Sequence, residues 1–203
     1  MLLTGCPSIF NTKPTPDKLS ADELYENAQE SFDKKKYTEA VRLFEQLKSA
    51  HPDFEKITTV YQRIADAYFK NDEYDEAVSS YRQFLELYPH HDDRARALYM
   101  VAMCYFNQIT RTDLDNSMVK NALRAFKEVV RESDPGQWKE KAEKKIKDCR
   151  TKLAEKELYK ARTYKQIKRY KAARMSAKRV LDEYAGLGLD DEAKQLIKSI
   201  KGR

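Results

Sequence analysis

Apolar residues recur along this chain with a helical period. Between Thr58 and His91, Tyr61, Ile64, Ala65 and Tyr68 fall at positions i, i+3, i+4 and i+7, one face of a helix. Tyr74, Ala77, Tyr81, Phe84 and Leu85 form a second such face, Asn71-Asp72-Glu73 separates the two runs, and Pro89 ends the second. Ala65 and Ala77 are small enough for two antiparallel helices to approach closely, with the aromatic side chains filling the space around them. The same pattern stands 37 residues earlier, as Leu24, Ala28, Tyr37, Ala40, Phe44 and Pro52. Its first half stands again 37 residues later, as Leu98, Val101, Ala102 and Tyr105. Three copies in one register predict a row of helical hairpins.

Each copy resembles a tetratricopeptide (TPR) repeat, lengthened beyond the usual 34 residues by slightly longer connections such as Asp53–Ile57. The expected fold is all-α: a TPR-type solenoid of antiparallel helical hairpins with a C-terminal capping helix. Ser20 with Glu23 reads as a capping box opening the first helix. The register breaks after Phe106 at a polar connection, Asn107–Ser117. It resumes over Met118–Glu132, with Ala122 in the role of Ala77 and Phe126 in that of Tyr81. Asp134 is the expected N-cap of the next helix, Pro135 its first-turn residue and Gln137 the partner in a capping box. No further break comes until near Lys168, so this helix should span about 30 residues, roughly 45 Å. Leu158, Ala161 and Tyr164 with Tyr170, Ala173 and Tyr184 make a fourth hairpin. Ala185–Gly188 is then a turn, and Asp190–Lys201 a last helix covering the end of the stack.

Charge divides the chain. The net +6 combines +11 from Gln137 to Arg203 with −5 from the preceding residues, so either the two parts suit different partners or one charged face simply solvates a helix array. No interleaved Arg/Lys–aromatic motif of a nucleic-acid module is present, and nucleic acid is not an expected partner. At the N-terminus Leu3-Thr4-Gly5-Cys6 resembles a bacterial lipobox, which makes Cys6 the expected lipid attachment site. The apolar run before it is too short for a whole signal peptide, placing the true start upstream or implying a trimmed chain. Pro7 follows Cys6 where an Asp would retain a lipoprotein in the inner membrane, so the outer membrane is the expected destination, on its periplasmic side. Pro7, Pro14 and Pro16 suit an extended tether over residues 1–19. No stretch approaches the roughly 20 apolar residues of a membrane span.

Catalytic chemistry is not legible. There is no phosphate loop, nucleophile–base pairing or paired-carboxylate site, and no enzyme activity or cofactor is expected. His51, His90 and His91 lie at turns beside Pro52 and Pro89. Cys104 and Cys149 have no metal-ligand spacing, and a disulfide between them is left open.

The order of features is more specific than the repeats. The lipobox, tether and repeats are followed by an interrupted third repeat and then the long helix with Arg150–Tyr184, CRTKLAEKELYKARTYKQIKRYKAARMSAKRVLDEY from Cys149 onward. Together they resemble the BamD (ComL/YfiO) family of the outer-membrane β-barrel assembly machinery, although four repeats and one helix stand where that family usually has five. The resemblance implies a non-catalytic adaptor lipoprotein. Its C-terminal repeats would dock on the POTRA domain of BamA beside other BAM lipoproteins, and its N-terminal repeats would receive the C-terminal signal of unfolded outer-membrane β-barrel proteins. On this reading residues 20–136 form the signal groove and residues 137–203 the docking half.

In a TPR array the first helix of each pair lines a groove. The 37-residue register puts Tyr25, Gln29 and Phe32, then Gln62, Asp66 and Phe69, then Tyr99, Met103 and Phe106 at groove positions. Phe32, Phe69 and Phe106 recur at one position, either as an aromatic ladder for an extended peptide or as hairpin core. For docking, the basic candidates are Arg150, Lys152, Arg162, Lys165, Arg169, Arg174 and Lys178. Another periplasmic TPR lipoprotein, a pilotin or a cell-division coordinator, is the alternative.

Overall fold

The computed structural model describes residues 19–109 and 116–201. Cys6, the lipobox, most of the tether and the centre of the 107–117 connection lie outside the described residues. Nine helices occur among those described: α1 (Ala21–Asp33), α2 (Tyr37–Ala50), α3 (Ile57–Lys70), α4 (Tyr74–Leu87), α5 (Arg94–Asn107), α6 (Ser117–Glu132), α7 (Gln137–Gln166), α8 (Tyr170–Glu183) and α9 (Asp190–Ser199). Each packs on the next, α5 also meets α7, and α7 meets α9. The hairpins therefore follow one another in a line, the α-solenoid that the spacing predicts.

Local chemistry explains most of the boundaries. Ser20 opens α1 with the expected capping box. The Glu23 N–H donates to Ser20 Oγ at 3.3 Å, and the Ser20 N–H donates to Glu23 Oε2 at 2.8 Å. Three hairpin turns share one geometry. The N–H of Lys36, Glu73 and Arg169 reaches back to the carbonyl of Ser31, Tyr68 and Tyr164, at 2.9, 3.0 and 2.8 Å. Such a bond needs a left-handed residue just before it, and Lys35, Asp72 and Lys168 take φ of 59°, 61° and 59°. The expected cap of α7 is corrected. Gly136 is the N-cap and no side chain bonds there, because Asp134 and Pro135 stay outside the helix. Gln137 becomes the first helical residue, two positions short of where a capping box needs it, and instead accepts a hydrogen bond from Lys141 Nζ at 3.1 Å.

The core is built of alanines at the crossing points and bulky groups between them. Ala28, Ala40, Ala65, Ala77, Ala102 and Ala122 are fully buried, as are Phe44, Tyr81, Phe84 and Phe126. At 30 residues, α7 belongs to two hairpins. Ala142, Cys149 and Leu153 join the cluster built with α5 and α6. Ala154, Leu158 and Ala161 join the clusters built with α8 and α9. Leu196 and Ile200 seat α9 over Ala161, Ala173 and Ala177, closing the end of the stack. Cys104 and Cys149 are both free and buried. Burial pushes the Cys104 thiol up to about 12 and the Cys149 thiol up to about 11, so both stay neutral at neutral pH.

Candidate protein-binding groove

The first helices α1, α3 and α5 contact one another through long side chains. Arg63 on α3 places its guanidinium 5.1 Å from the Phe32 ring of α1. Arg96 on α5 reaches back to α3, where Nη2 donates to both Asp66 oxygens at 2.6 and 2.7 Å and Nη1 donates to Gln62 Oε1 at 3.2 Å. Gln62 Nε2 in turn donates to Asp93 Oδ2 at 3.1 Å. From the other side the Tyr81 hydroxyl of α4 donates to Asp66 Oδ1. Asp66 and Gln62 are each only 9% exposed. Two groove candidates are thus held inside the chain by an arginine from the next repeat. Desolvation raises the Tyr81 phenol well above its ordinary range, helped by the Asp66 charge. Burial works against the Arg96 cation, but Asp66 outweighs it and its pKa is raised.

The remaining groove candidates are half-buried. Phe32 packs edge-on against Tyr37 with ring centroids 5.5 Å apart, and Phe69 packs the same way against Tyr74 at 5.6 Å. Phe106 meets Phe126 at 6.1 Å, and Lys145 Nζ lies 4.1 Å from its centroid. All three rings therefore brace their own hairpins while keeping part of their surface open. Tyr25 sits between Phe44 and Phe54, and Tyr99 between Phe126 and Trp138. Met103 packs on the α5–α6–α7 core. Gln29 Nε2 donates to Asp33 Oδ1 at 2.9 Å, while its buried Oε1 has no hydrogen-bond partner.

The basic candidates of the C-terminal half divide into two groups. Arg150 Nη2 donates to the Glu183 carbonyl at 3.0 Å and Arg174 Nη2 to the Ile200 carbonyl at 3.2 Å, each at the end of a helix whose last carbonyls need donors. Arg162 Nε donates to Glu192 Oε1 at 2.7 Å. Lys152, Lys165, Arg169 and Lys178 are exposed, as Arg162 and Arg174 are too, but their side chains make no such bond among the described residues. Apolar groups stand among them that the charge pattern did not single out: Tyr159 is 61% exposed, Ile167 56% and Met175 59%. The signal was present, since Tyr159 falls beside the Leu158 core face and Met175 beside Ser176 and Ala177. Glu157 was also missed; its buried carboxylate accepts from Lys160 at 2.9 Å and from Arg179 at 3.2 Å. Among the described residues no group of three or more His, Cys, Asp or Glu could hold a metal ion, and no helix is long and apolar enough to cross a membrane.

A model of the family described as YfiO, outer membrane lipoprotein, matches residues 17–200. The chain is 28% identical over 189 residues to the outer membrane protein assembly factor BamD of Caulobacter vibrioides, covering 85% of this chain and 62% of that protein. It is 29% identical over 175 residues to BamD of Neisseria gonorrhoeae, covering 81% of this chain and 66% of the other. The chain thus spans somewhat under two thirds of these relatives' length. Among solved structures, the TPR2AB domain of yeast Sti1, in its complex with pHSP90, superposes with a TM-score of 0.56 at 13% identity. That match covers 89% of this chain and 69% of that one, and it speaks to the fold alone.

Proposed function

The chain belongs to the YfiO family of outer membrane lipoproteins, and from that premise we propose that it is a non-catalytic adaptor in the assembly of β-barrel proteins into the outer membrane. The observation carrying this reading is the family match over 17–200, which takes in all nine described helices. The relatives' description as assembly factors supports it. On this reading Cys6 carries the lipid and residues 1–19 tether the solenoid to the periplasmic face of the outer membrane. No cofactor takes part.

The two halves do different work. Residues 137–203 dock on a BamA-type POTRA domain, alongside other lipoproteins of the machinery. Exposed Tyr159 and Met175 supply apolar anchors there, and Lys152, Lys165, Arg169 and Lys178 set the encounter with an acidic partner. Residues 20–136 receive an extended aromatic segment of an unfolded β-barrel protein along the open edges of Phe32, Phe69 and Phe106. Asp66 and Gln62 shape that face indirectly, by fixing Arg96.

The test is co-purification from solubilised outer membrane. A BamA-type barrel should accompany the native chain and be lost with Tyr159→Ser and Met175→Ser together, with melting unchanged. Absence of any such barrel beside the native chain would overturn the reading. Substrate binding is read separately, with a peptide copying a β-barrel terminal strand. Phe32→Leu, Phe69→Leu and Phe106→Leu combined should weaken it at least tenfold, and unchanged affinity removes the groove assignment.

A further inference from the structure

The outer side of α6 differs from that of every other second helix. Counted from the buried alanine that each second helix places in its hairpin (Ala40, Ala77, Ala122 and Ala173), four positions face outward in the same register. In α6 they are Lys120, Arg124, Lys127 and Arg131, all exposed. In α4 the same places hold Asp75, Ser79, Arg82 and Glu86; in α2, Thr38, Arg42, Glu45 and Ser49; in α8, Lys171, Met175, Lys178 and Asp182. A merely solvated surface would be mixed, as the other three are. The α6 row is a single line of four cations about 16 Å long at 1.5 Å per residue.

These cations are largely uncommitted. Arg131 pairs with Glu132 at 2.9 Å, and among the described residues Arg124 bonds only the neutral Asn121, at 3.1 Å. Among the described residues neither Lys120 nor Lys127 makes an ion pair. Glu128 is the one acidic group in the furrow of about 500 Å³ that the row encloses with Leu123.

We propose that the outer face of α6 is a membrane-contact surface that binds the anionic headgroups of phospholipids. Charge complementarity selects an anionic occupant, and the absence of an apolar anchor selects among anions. A protein interface is normally centred on buried aromatic or aliphatic side chains. The large hydrophobics exposed among the described residues are Leu87, Tyr159, Ile167 and Met175, and none is on α6. A headgroup layer needs no such anchor, because basic side chains near an anionic surface bind through charge alone. The family's lipoprotein character places such a surface within reach. A lipid chain and a basic patch are each weak anchors that hold firmly only together. The row thus fixes which side of the solenoid faces the bilayer. The inference rests on family membership and not on the assembly role, so each can fail without the other.

Co-sedimentation of the full chain with vesicles tests it at low ionic strength. One set is phosphatidylcholine alone and the other carries phosphatidylglycerol as well. Carrying Cys6→Ser, so that no acyl chain drives insertion, the otherwise native chain should sediment with the second set only, and added salt should release it. Lys120→Gln, Arg124→Gln, Lys127→Gln and Arg131→Gln together should weaken binding at least fiftyfold, since each cation contributes roughly fivefold. An equal loss of charge elsewhere, by Lys35→Gln, Lys36→Gln, Lys70→Gln and Lys144→Gln, should change it less than fivefold. Thermal melting checks that both variants fold. Equal loss in both variants, equal binding to neutral vesicles, or no binding to anionic ones overturns the proposal. Capture of a polyglutamate peptide through the row, with vesicles ignored, also overturns it and makes the row a protein dock.

Discussion

The hairpins before Gly136 and the array after it solve the same packing problem with different side chains. In the first, Phe44, Tyr81, Phe84 and Phe126 are fully buried around the alanine contacts. In the second, the clusters consist of Ala154, Leu158, Val180 and Ala193, and of Ala161, Ala173, Ala177, Leu196 and Ile200, with tyrosines only at their margins. There the bulky apolar groups Tyr159, Ile167 and Met175 stand outside. A core of alanines lets helices approach closely but removes little apolar surface from water per residue, and stabilisation scales with that surface. The N-terminal hairpins, where Leu87 is the one large hydrophobic left exposed among the described residues, therefore gain more from their own packing than the C-terminal ones, where three such groups stand exposed.

The largest effect should come from the aromatic core. Phe84→Ala should cost about 3–5 kcal/mol in denaturant unfolding, and a loss no larger than that of Leu158→Ala would erase the contrast. Next, Arg96→Ala should cost about 3 kcal/mol, because it leaves the buried Asp66 carboxylate without its cation. Asp66→Asn combined with Arg96→Ala should then cost less than the two separately, by a double-mutant cycle. In the C-terminal array Leu158→Ala should cost about 2 kcal/mol. Hydrogen exchange should run faster in α8 and α9 than in α3 to α5, and slow in the former when a docking partner is added.

A smaller effect should appear at high pH. The folded-state pKa of Cys104 lies at about 12, above the ordinary 9.0. The neutral thiol binds its proton more tightly in the folded chain, so this stabilisation is complete below about pH 9 and is lost as pH rises towards 12. Denaturant midpoints should fall over that window, less steeply in Cys104→Ala. Smallest of all, Lys168→Gly should stabilise the chain by about 0.5–1 kcal/mol by relieving its left-handed turn, read as a shift in melting temperature.

Local rules made much of this fold legible. The 37-residue spacing placed the hairpins, the Ser20–Glu23 pair gave the start of α1, and the missing break signal gave the length of α7. The cap of α7 was misplaced because Asp, Pro and Gly each suit several positions near a helix start, and only the backbone decides which is first. At the groove, register assigns a position to a face but says nothing about a long side chain arriving from the next repeat. That is why Gln62 and Asp66 look open in the sequence and are engaged by Arg96 in the structure. Phe32 and Phe69 were ambiguous for a physical reason: each ring packs edge-on within its hairpin and yet stays only half-buried.

The long helix has a mechanical consequence. Because α7 is one unbroken rod whose first part is clamped by α5 and α6 and whose second part is gripped by α8 and α9, neither end can turn alone. A torque applied at the far end of α7 would be carried like a twist along an axle towards Trp138, which meets Tyr99, roughly 40 Å away at its rise per residue.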